Sequence, residues 1–364
     1  MSRGTCLEIR PQALLHNASL ARRHAPDARL YAMVKANGYG HDIGLVAGSL
    51  ASRVDGFGVA LLEEANTLRQ QGCEAPIMLL EGFFDATELV HARRLKLEVV
   101  IHSLWQIELL EQDRAATPLQ IWLKVNTGMH RLGVPADQVE ECLARLHKLA
   151  GVEVSGLMSH FACADLQDDP LSDAQLARVV AMAEAAALPF SAANSAALLR
   201  YPDSHGALVR PGIMLYGSSP LPDKSAAEIG LQVSQRLSAR LIAINSVPAG
   251  ESVGYGARWR ATRDRRIGVV SIGYGDGYPR HAPDGTPVAV NGQRTLLAGR
   301  VSMDMLTIDL TDLPDADIGD EVELWGDVVD VDEVARLCGT ISYELFCQLT
   351  ERVVRKVGRR TSDV

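Results

Sequence analysis

A lysine at the end of an apolar run has surroundings that favour chemistry. Lys35 follows the apolar residues 32–34, and no Asp or Glu lies within six residues on either side. Apolar surroundings disfavour the ammonium form of a lysine, so the neutral, imine-forming amine becomes more available. The sequence therefore predicts an amine nucleophile at Lys35; the alternative is a solvated lysine at a strand end.

Tyrosines next to glycine form a second group with chemical potential. Five of the eight tyrosines adjoin a glycine: Tyr39, Tyr216, Tyr255, Tyr274 and Tyr278. Glycine permits tight turns that direct a phenol into a cleft. We expect Tyr216 and Tyr278 instead to end strands and pack their rings at a sheet edge. Tyr255, between Gly254 and Gly256, is predicted to lie in a loop, where its ring has little reason to be buried.

A potential phosphate site follows Arg210. Pro211 has no N–H, but Gly212 and Ile213 each offer one to an anion, and Ser195 can add a hydroxyl. If these segments end the last two strands of a (β/α)8 barrel, their loops are where such barrels commonly hold a phosphate. A phosphate cup, an arginine and a facing lysine match the needs of pyridoxal 5'-phosphate, namely an anchor, a partner for the ring nitrogen and an imine-forming amine.

Eight short apolar runs recur through the first 230 residues, with helical patterns between them. The runs are Leu30–Lys35, Asp55–Ala60, Ile77–Glu81, Leu97–His102, Gln120–Asn126, Val152–His160, Phe190–Asn194 and Leu208–Arg210. The helical patterns include Pro11–His24, Leu61–Gln71, Asp85–Arg94, Pro135–Lys148 and Leu171–Ala187. This alternation predicts an α/β fold, a (β/α)8 barrel, with an open sheet of six or seven strands as the alternative. The strand ends and the loops after them hold Lys35, Arg131, His160, Ser195 and Arg210, where barrel enzymes place their chemistry.

Beyond residue 230 strand-like runs follow one another without helices between them. They are Arg236–Asn245, Arg266–Ile272, Thr286–Val290, Thr295–Ala298, Met305–Leu310 and Glu321–Trp325. Asn291-Gly292 between two of these runs predicts a two-residue hairpin. Two helical patterns follow, Val331–Leu337 and Tyr343–Val354. We therefore predict a barrel domain over residues 1–230 and a mainly-β domain over residues 231–364.

Length, charge and cysteine spacing exclude several classes of protein. The 364 residues suggest about two domains, and the net charge of −9 disfavours nucleic acid and anionic membranes as partners. The six cysteines show neither a Cys-x-x-Cys pair nor a spacing typical of metal ligands, so no zinc site or disulfide framework is predicted. Residues 1–11 have no apolar core of signal-peptide length, and no run of about 18 apolar residues occurs in the sequence, so we expect neither a signal peptide nor a membrane span. We expect a cytoplasmic protein without a metal.

Nine segments in order carry a resemblance to a known family. They are Lys35–His41, Lys124–Gly133, Ser159–Ala162, Asn194–Ala196, Arg210–Tyr216, Gly254–Gly256, Gly273–Tyr278, Arg300–Asp304 and Ser342–Glu344. With them the chain resembles the alanine racemases, pyridoxal-phosphate enzymes of fold type III, over nearly its whole length. The resemblance implies a (β/α)8 barrel, a C-terminal β domain, and interconversion of L-alanine and D-alanine.

The resemblance also implies how the cofactor is held. Lys35 would carry pyridoxal 5'-phosphate covalently, and Arg210 would face the pyridine nitrogen. The residues implied around the phosphate are Tyr39, Ser195, Gly212, Ile213 and Tyr343. Because a guanidinium donates hydrogen bonds and does not give up its proton, the ring would remain a weak electron sink, which limits side reactions.

Racemisation removes a proton from one face of Cα and returns one on the other, so two acid–base groups are needed. The resemblance makes Lys35 the group for D-alanine and Tyr255, from the other subunit, the group for L-alanine. A tyrosine has an unperturbed pKa of about 10 and needs cationic help to act as a base. His160, linked onward to Arg210, is the candidate for that help.

The substrate carboxylate would be bound from two subunits. Arg131 matches the family arginine near that carboxylate, and Met303 matches the position whose backbone N–H meets it from the partner subunit. If Tyr255 and Met303 both cross between subunits, the enzyme is an obligate homodimer. Lys124 matches a family lysine that can be carbamylated to pair with Arg131.

The chain departs from the family at Gly38, Asp42 and Asn126, where Ala, Gly and Asp are usual. Asn126 removes a carboxylate near Lys124. The alternatives are a broad-specificity racemase, a basic-amino-acid decarboxylase of the same fold type, and a non-catalytic pyridoxal-phosphate carrier. Tyr255 and the second domain argue against the last two. Supply of D-alanine for peptidoglycan and degradation of D-alanine remain equally compatible with the sequence.

Overall fold

The chain forms two compact units in the computed structural model, which describes residues 3–115 and 117–358. One unit runs from Leu14 to Gln232; the other combines the residues up to Ala13 with those from Val233 onward. The predicted limits of 1–230 and 231–364 therefore need correction at the N terminus. The strand Cys6–Ile9 pairs with strands of the second unit, which draws the first residues into it.

The elements alternate in the first unit and are mostly strands in the second. The strands up to residue 209 are β1 (Cys6–Ile9), β2 (Arg29–Met33), β3 (Gly56–Val59), β4 (Ile77–Leu79), β5 (Glu98–Ile101), β6 (Leu119–Lys124), β7 (Val152–Met158), β8 (Phe190–Ser191) and β9 (Leu208–Val209). The later strands are β10 (Gln235–Val247), β11 (Ser252–Val253), β12 (Trp259–Arg260), β13 (Arg265–Val270), β14 (Pro287–Val290), β15 (Gln293–Leu296), β16 (Leu306–Asp309), β17 (Glu321–Trp325) and β18 (Val354–Val357). The helices are α1 (Pro11–His24), α2 (Lys35–Tyr39), α3 (Ile43–Leu50), α4 (Leu62–Gln70), α5 (Ala86–Arg94), α6 (Leu104–Gln112), α7 (Val139–Leu146), α8 (Pro170–Ala186), α9 (Ser195–Arg200), α10 (Ala226–Ile229), α11 (Val331–Leu337) and α12 (Ser342–Cys347). Within the described part of the chain, no helix is long and apolar enough to cross a membrane.

The first unit is a parallel barrel. Its eight strands pair in the order β8-β7-β6-β5-β4-β3-β2-β9. At the two ends of this order, the Ala207 N–H donates to the Phe190 carbonyl and the Arg210 N–H to the Ala193 carbonyl, both at 2.9 Å, so the sheet nearly closes on itself. The predicted (β/α)8 barrel is confirmed and the open-sheet alternative is wrong. The strands end one or two residues before Lys35, His160 and Arg210, which therefore lie just beyond the strands' C-terminal ends.

A polar cluster fills part of the barrel interior near the start of β5. The Glu98 carboxylate accepts hydrogen bonds from the Tyr31 hydroxyl at 2.5 Å and from the Trp122 indole at 2.9 Å. The Arg29 guanidinium carbon lies 5.5 Å from the centre of the Tyr31 ring. Because both donors are on fully buried residues, Glu98 satisfies groups that would otherwise be costly to bury.

The second unit is built on a mixed sheet whose central path is β15-β14-β17-β10-β1-β18, with β13 joining β10 to β16. β1 pairs antiparallel with β10 and parallel with β18. The predicted hairpin at Asn291-Gly292 is confirmed, since Val290 pairs with Gln293 and the two turn residues have φ of +47° and +81°. The predicted helix Tyr343–Val354 is shorter, because Val354 begins β18 beside β1.

Candidate active site

Lys35 is partly buried just after β2 and precedes a left-handed turn. Residues 36–39 all have φ between +50° and +62°. Each non-glycine residue in this region costs about 1–2 kcal/mol, so outside contacts must hold the turn. The first N–H of the turn donates to the Glu64 carboxylate at 2.6 Å, and the Asn37 side chain accepts from the Ile43 N–H at 2.9 Å. These contacts fix the backbone directly after the lysine.

The three departures from the family have local roles. Gly38 occupies the left-handed turn at φ +62°, where glycine adds no strain. The Asp42 carboxylate caps α3 by accepting from the Leu45 N–H at 2.9 Å. The Asn126 side-chain oxygen accepts from the N–H groups two and four residues later, both at 3.1 Å. Its side chain therefore shapes its own loop.

The loop after β9 contains three consecutive backbone N–H groups, those of Gly212, Ile213 and Met214. Ser195 Oγ is buried and accepts from the N–H groups of Gly212 at 2.8 Å and Met214 at 3.4 Å. A Cβ on Gly212 would collide with the Tyr39 hydroxyl, so that phenol lies against the loop. Ile213 is fully buried, and its N–H donates to no acceptor in residues 3–115 or 117–358. Buried donors without acceptors are rare, so this geometry suits an anion such as a phosphate.

Arg210 is buried without an acidic partner among the described residues. Its Nη2 donates to the Ser159 carbonyl at 2.6 Å and the Ala192 carbonyl at 3.3 Å, and its Nη1 donates to Ser191 Oγ. Burial lowers the pKa of Arg210 to about 10, which leaves it protonated at neutral pH. A protonated guanidinium fixed in this way can donate to a neutral aromatic nitrogen, which fits the pyridine of pyridoxal phosphate.

His160 accepts a hydrogen bond from Arg210. Its Nδ1 lies 3.4 Å from Arg210 Nη2. Burial, and then the charges of Arg210, Lys124, Arg131 and Lys35, lower the pKa of His160 well below its usual range. The imidazole is therefore neutral, and because Nδ1 faces a donor its proton belongs on Nε2. The positive charge expected behind His160 therefore belongs to Arg210.

Lys124, the last residue of β6, lies in a cluster of cations. Burial, followed by the charges of Arg210, Arg131 and Lys35, lowers the pKa of Lys124 to about 8, while Glu81 opposes the change. A part of the Lys124 amine is thus neutral near pH 7. Arg131 is exposed and lies close enough to act on both Lys124 and His160.

Sequence reasoning missed several residues that support this site. Ser159 and Ser191 hold Arg210, and Met214 donates to Ser195. Glu81 follows β4, and its charge opposes the lowering of the Lys124 pKa. His102 follows β5, and the charge of Lys124 contributes to the lowering of its pKa. The rule that chemistry follows strand ends would have found Glu81 and His102. The carbonyl and hydroxyl partners of Arg210 have no local signal.

The predicted site residues divide between the two units. The barrel unit holds Lys35, Tyr39, Arg131, His160, Ser195, Arg210, Gly212 and Ile213. The second unit holds Tyr255, Met303 and Tyr343.

Within the second unit, Tyr255 is 70% exposed, between two glycines at φ +74°, as predicted for a loop residue. Tyr216 and Tyr278 are buried, as predicted, but neither ends a strand: Tyr216 closes the helical turn Ile213–Tyr216, and Tyr278 follows the turn Tyr274–Asp276. Met303 is 53% exposed, and its N–H donates no hydrogen bond within the described ranges. Tyr343 is half-buried in α12.

Known proteins resemble this chain throughout its length. The family model described as "Alanine racemase, N-terminal domain" matches residues 9–220, and "Alanine racemase, C-terminal domain" matches residues 234–357. The alanine racemase of Alcanivorax borkumensis is 62% identical over 355 residues, covering 98% of this chain and 99% of the relative. The biosynthetic alanine racemase of Pseudomonas aeruginosa is 51% identical over 344 residues, covering 94% and 96%.

Solved structures resemble it as closely. The crystal structure of the biosynthetic alanine racemase from Pseudomonas aeruginosa aligns with a TM-score of 0.94 at 49% identity, covering 98% of this chain and all of that chain. The alanine racemase from Acinetobacter baumannii aligns with a TM-score of 0.93 at 40% identity, covering 98% of this chain and 100% of that one.

Proposed function

Because this chain belongs to the alanine racemase family, a family of isomerases, we propose that it interconverts L-alanine and D-alanine with pyridoxal 5'-phosphate carried on Lys35. One observation carries the proposal for this chain. Among the described residues, buried Arg210 has no carboxylate partner and the N–H of buried Ile213 has no acceptor. Both lie in the loop after β9, and β9 pairs with β2, the strand that ends two residues before Lys35.

The residues of the barrel fit each part of the cofactor. Lys35 provides the amine for covalent attachment. Ser195, Gly212, Ile213 and Tyr39 would hold the phosphate, and Arg210 would donate to the ring nitrogen. When bound, the cofactor supplies the electron sink that makes the Cα–H of an amino acid acidic.

Two residues would exchange protons with the substrate Cα. The Lys35 amine serves the proton of D-alanine, and Tyr255 of the partner subunit serves that of L-alanine. Neutral His160 donates its Nε2–H toward that phenol, and Arg210 supplies the positive charge behind the imidazole. A hydrogen bond donated to the phenolate stabilises that form, so that it can accept the Cα proton.

The substrate carboxylate would lie between Arg131 and the Met303 N–H of the partner subunit. Tyr255 and Met303 are exposed, and the Met303 N–H donates no hydrogen bond among the described residues. Both residues would have a role in catalysis at the barrel of a second copy of the chain. The functional unit is therefore a homodimer with shared sites.

The reaction runs in both directions, so one site serves D-alanine supply or D-alanine degradation. The Pseudomonas aeruginosa relative is named a biosynthetic alanine racemase, which supports a role of this chain in supplying D-alanine. We propose that the chain acts in the cytoplasm and supplies D-alanine for peptidoglycan synthesis.

The proposal is tested by incubating the purified protein with each enantiomer in deuterium oxide and following both chirality and loss of the Cα proton. Wild type should give equal amounts of both enantiomers with deuterium incorporated. Tyr255→Phe should lose about 10²–10⁴-fold in racemisation. It should still exchange the proton of D-alanine through Lys35, but not that of L-alanine.

Two further variants complete the test. Lys35→Ala should lose the cofactor fraction that borohydride fixes to the protein. Tyr201→Phe, which removes a hydroxyl from a ring stacked on Phe161, is the matched control and should behave as wild type. Absence of D-alanine formation by the wild type would refute the function. Full racemisation by Tyr255→Phe would refute the two-base assignment.

A further inference from the structure

The segment Gly273–Tyr278 packs backbone to backbone against the segment 300–305, here called the Met303 loop. A Cβ added to Gly273 would collide with the Ser302 carbonyl and lie 2.5 Å from the Met303 carbonyl carbon. A Cβ on Gly275 would lie 3.0 Å from the Met303 oxygen. This close approach of two backbones requires glycine at Gly273, and at Gly275 it leaves little room for a side chain.

Hydrogen bonds fix one side of the Met303 loop. The Tyr274 N–H donates to the Ser302 carbonyl at 3.0 Å, and the Gly275 N–H donates to the Met303 carbonyl at 2.8 Å. The Ser302 N–H donates to the Met305 carbonyl at 2.8 Å. The Met303 carbonyl is thus held by the protein, while its N–H stays unbonded within the described residues.

A buried carboxylate ties this arrangement to both ends of the chain. Asp276 is fully buried and receives two hydrogen bonds from the Arg3 guanidinium, at 2.6 Å and 2.5 Å, and one from the Gly273 N–H at 2.9 Å. Arg352 lies 3.3 Å from the same carboxylate and 2.5 Å from Asp304. Arg3 also donates to the Asp304 carbonyl at 3.1 Å. The two arginines therefore clamp the residue that directly follows Met303 in the loop.

We propose that Asp276, Arg3 and Arg352 form a positioning cluster that fixes the Met303 loop, so that the Met303 N–H is presented to the substrate carboxylate of the partner subunit. The proposal rests on the proposed function for its catalytic consequence. It assigns the cluster a role in substrate binding in addition to its role in the fold of the second unit.

The chemistry predicts which kinetic constant responds. A carboxylate carries the same charge in the bound substrate and in the transition state, so an N–H that binds it contributes to both alike. Losing such uniform binding raises KM and leaves kcat nearly unchanged. Loosening the cluster should therefore act on KM.

Arg352→Met is the variant of choice, because Arg352 is half-exposed and Arg3 still neutralises Asp276 after its removal. Arg294→Met is the matched control. Arg294 is 46% exposed against 42% for Arg352 and likewise pairs with an acidic side chain, Glu333 at 2.6 Å, but away from the Met303 loop. Arg352→Lys can reach one carboxylate at a time and should recover part of the effect.

Two measurements on the holoenzyme separate the steps of the argument. Hydrogen–deuterium exchange without substrate follows the amides of Tyr274, Gly275 and Ser302. Arg352→Met should speed their exchange by at least about tenfold, and Arg294→Met should not. Steady-state kinetics should show an increase in KM for alanine of about five- to tenfold in Arg352→Met, with kcat within about threefold of wild type.

The exchange measurement tests the positioning role of the cluster, and the kinetic measurement tests its link to substrate binding. Unchanged exchange in Arg352→Met overturns the positioning role. Faster exchange with an unchanged KM, or an equal rise of KM in Arg294→Met, overturns the link to substrate binding. A wild-type enzyme without racemase activity would refute the proposed function instead, and the exchange measurement would still decide whether the cluster holds the loop.

Discussion

Removing the buried amine at the end of β6 should stabilise the protein at neutral pH. Lys124 lies partly desolvated among Arg210, Arg131 and Lys35, which lowers its pKa to about 8. Its protonated form is therefore less favourable in the folded protein than in the unfolded chain. Lys124→Met keeps a side chain of similar length and removes the charge.

The pKa gives the size and the sign of the effect. Because one pKa unit corresponds to about 1.4 kcal/mol, a pKa of about 8 in place of 10.5 costs the protonated native state about 3 kcal/mol. Solvent near the partly exposed amine reduces this to about 2–3 kcal/mol. Below pH 8 both states are protonated and the whole cost applies. Between pH 8 and 10.5 the unfolded chain binds more protons, so stability rises with pH and the cost disappears.

Urea unfolding measures this difference. The fluorescence of Trp122, buried in β6 two residues before Lys124, contributes to the signal of the barrel. In buffer free of bicarbonate, Lys124→Met should be more stable than wild type by about 2–3 kcal/mol at pH 7 and by nearly nothing at pH 10.5. Lys148→Met, at an exposed lysine, is the control and should change stability by less than about 0.5 kcal/mol.

Two results would refute the reasoning. One is a Lys124→Met protein that is less stable than wild type at pH 7 without bicarbonate. The other is a difference that stays constant up to pH 10.5. Bicarbonate adds a further arm, because carbon dioxide adds to a neutral amine and the resulting anion would pair with Arg131. We expect bicarbonate to stabilise wild type and not Lys124→Met; an equal effect on both would exclude carbamylation of Lys124.

Three further variants test the other electrostatic and packing arguments. Since burial keeps His160 neutral in the folded protein, the unfolded chain binds one more proton below pH 6.5, and the free energy of unfolding should fall by about 1.4 kcal/mol for each pH unit by which the pH is lowered. Between pH 7 and pH 5, the urea midpoint of His160→Asn should therefore fall less than that of wild type. An equal fall in both proteins contradicts the argument. Gly212→Ala should displace the Tyr39 hydroxyl and weaken pyridoxal phosphate binding about ten- to a hundredfold in equilibrium dialysis. Gly48→Ala, with open space around it, is the control, and equal affinities in both would refute the role of Tyr39. Glu98→Ala should lower the free energy of unfolding by about 3 kcal/mol with kcat unchanged, and a loss below about 1 kcal/mol would show that its buried donors find other partners.

The eight strand–helix units and the location of their chemistry could be predicted from the sequence, whereas closure of the sheet into a barrel was shown by the structure. Eight apolar runs alternating with helical patterns could only be buried on both faces as parallel strands, and the observed strands lie within or one residue from all eight predicted runs. Lys35, His160 and Arg210 could be placed because they follow their strands directly in the chain. The hairpin at Asn291-Gly292 was equally local, since two residues at positive φ define that turn.

Only the tertiary structure decided which unit the N-terminal strand β1 belongs to. β1 is four residues long and has no local signal that assigns it to the second unit rather than to the barrel. Its partners, β10 and β18, begin more than two hundred residues later. The same pairing places Val354, the last residue of the predicted helix over 343–354, in β18 opposite Cys6, and the observed helix ends earlier, at Cys347.

The charge state of the site was also decided by the tertiary structure. The local sequence around His160 gives no sign of its charge, and burial together with four cations from different strands and loops keeps it neutral. Asp276 meets Arg3 and Arg352, from opposite ends of the chain. Desolvation and Coulomb energy depend on distances in space, and such distances between residues far apart in sequence exist only once the strands have paired.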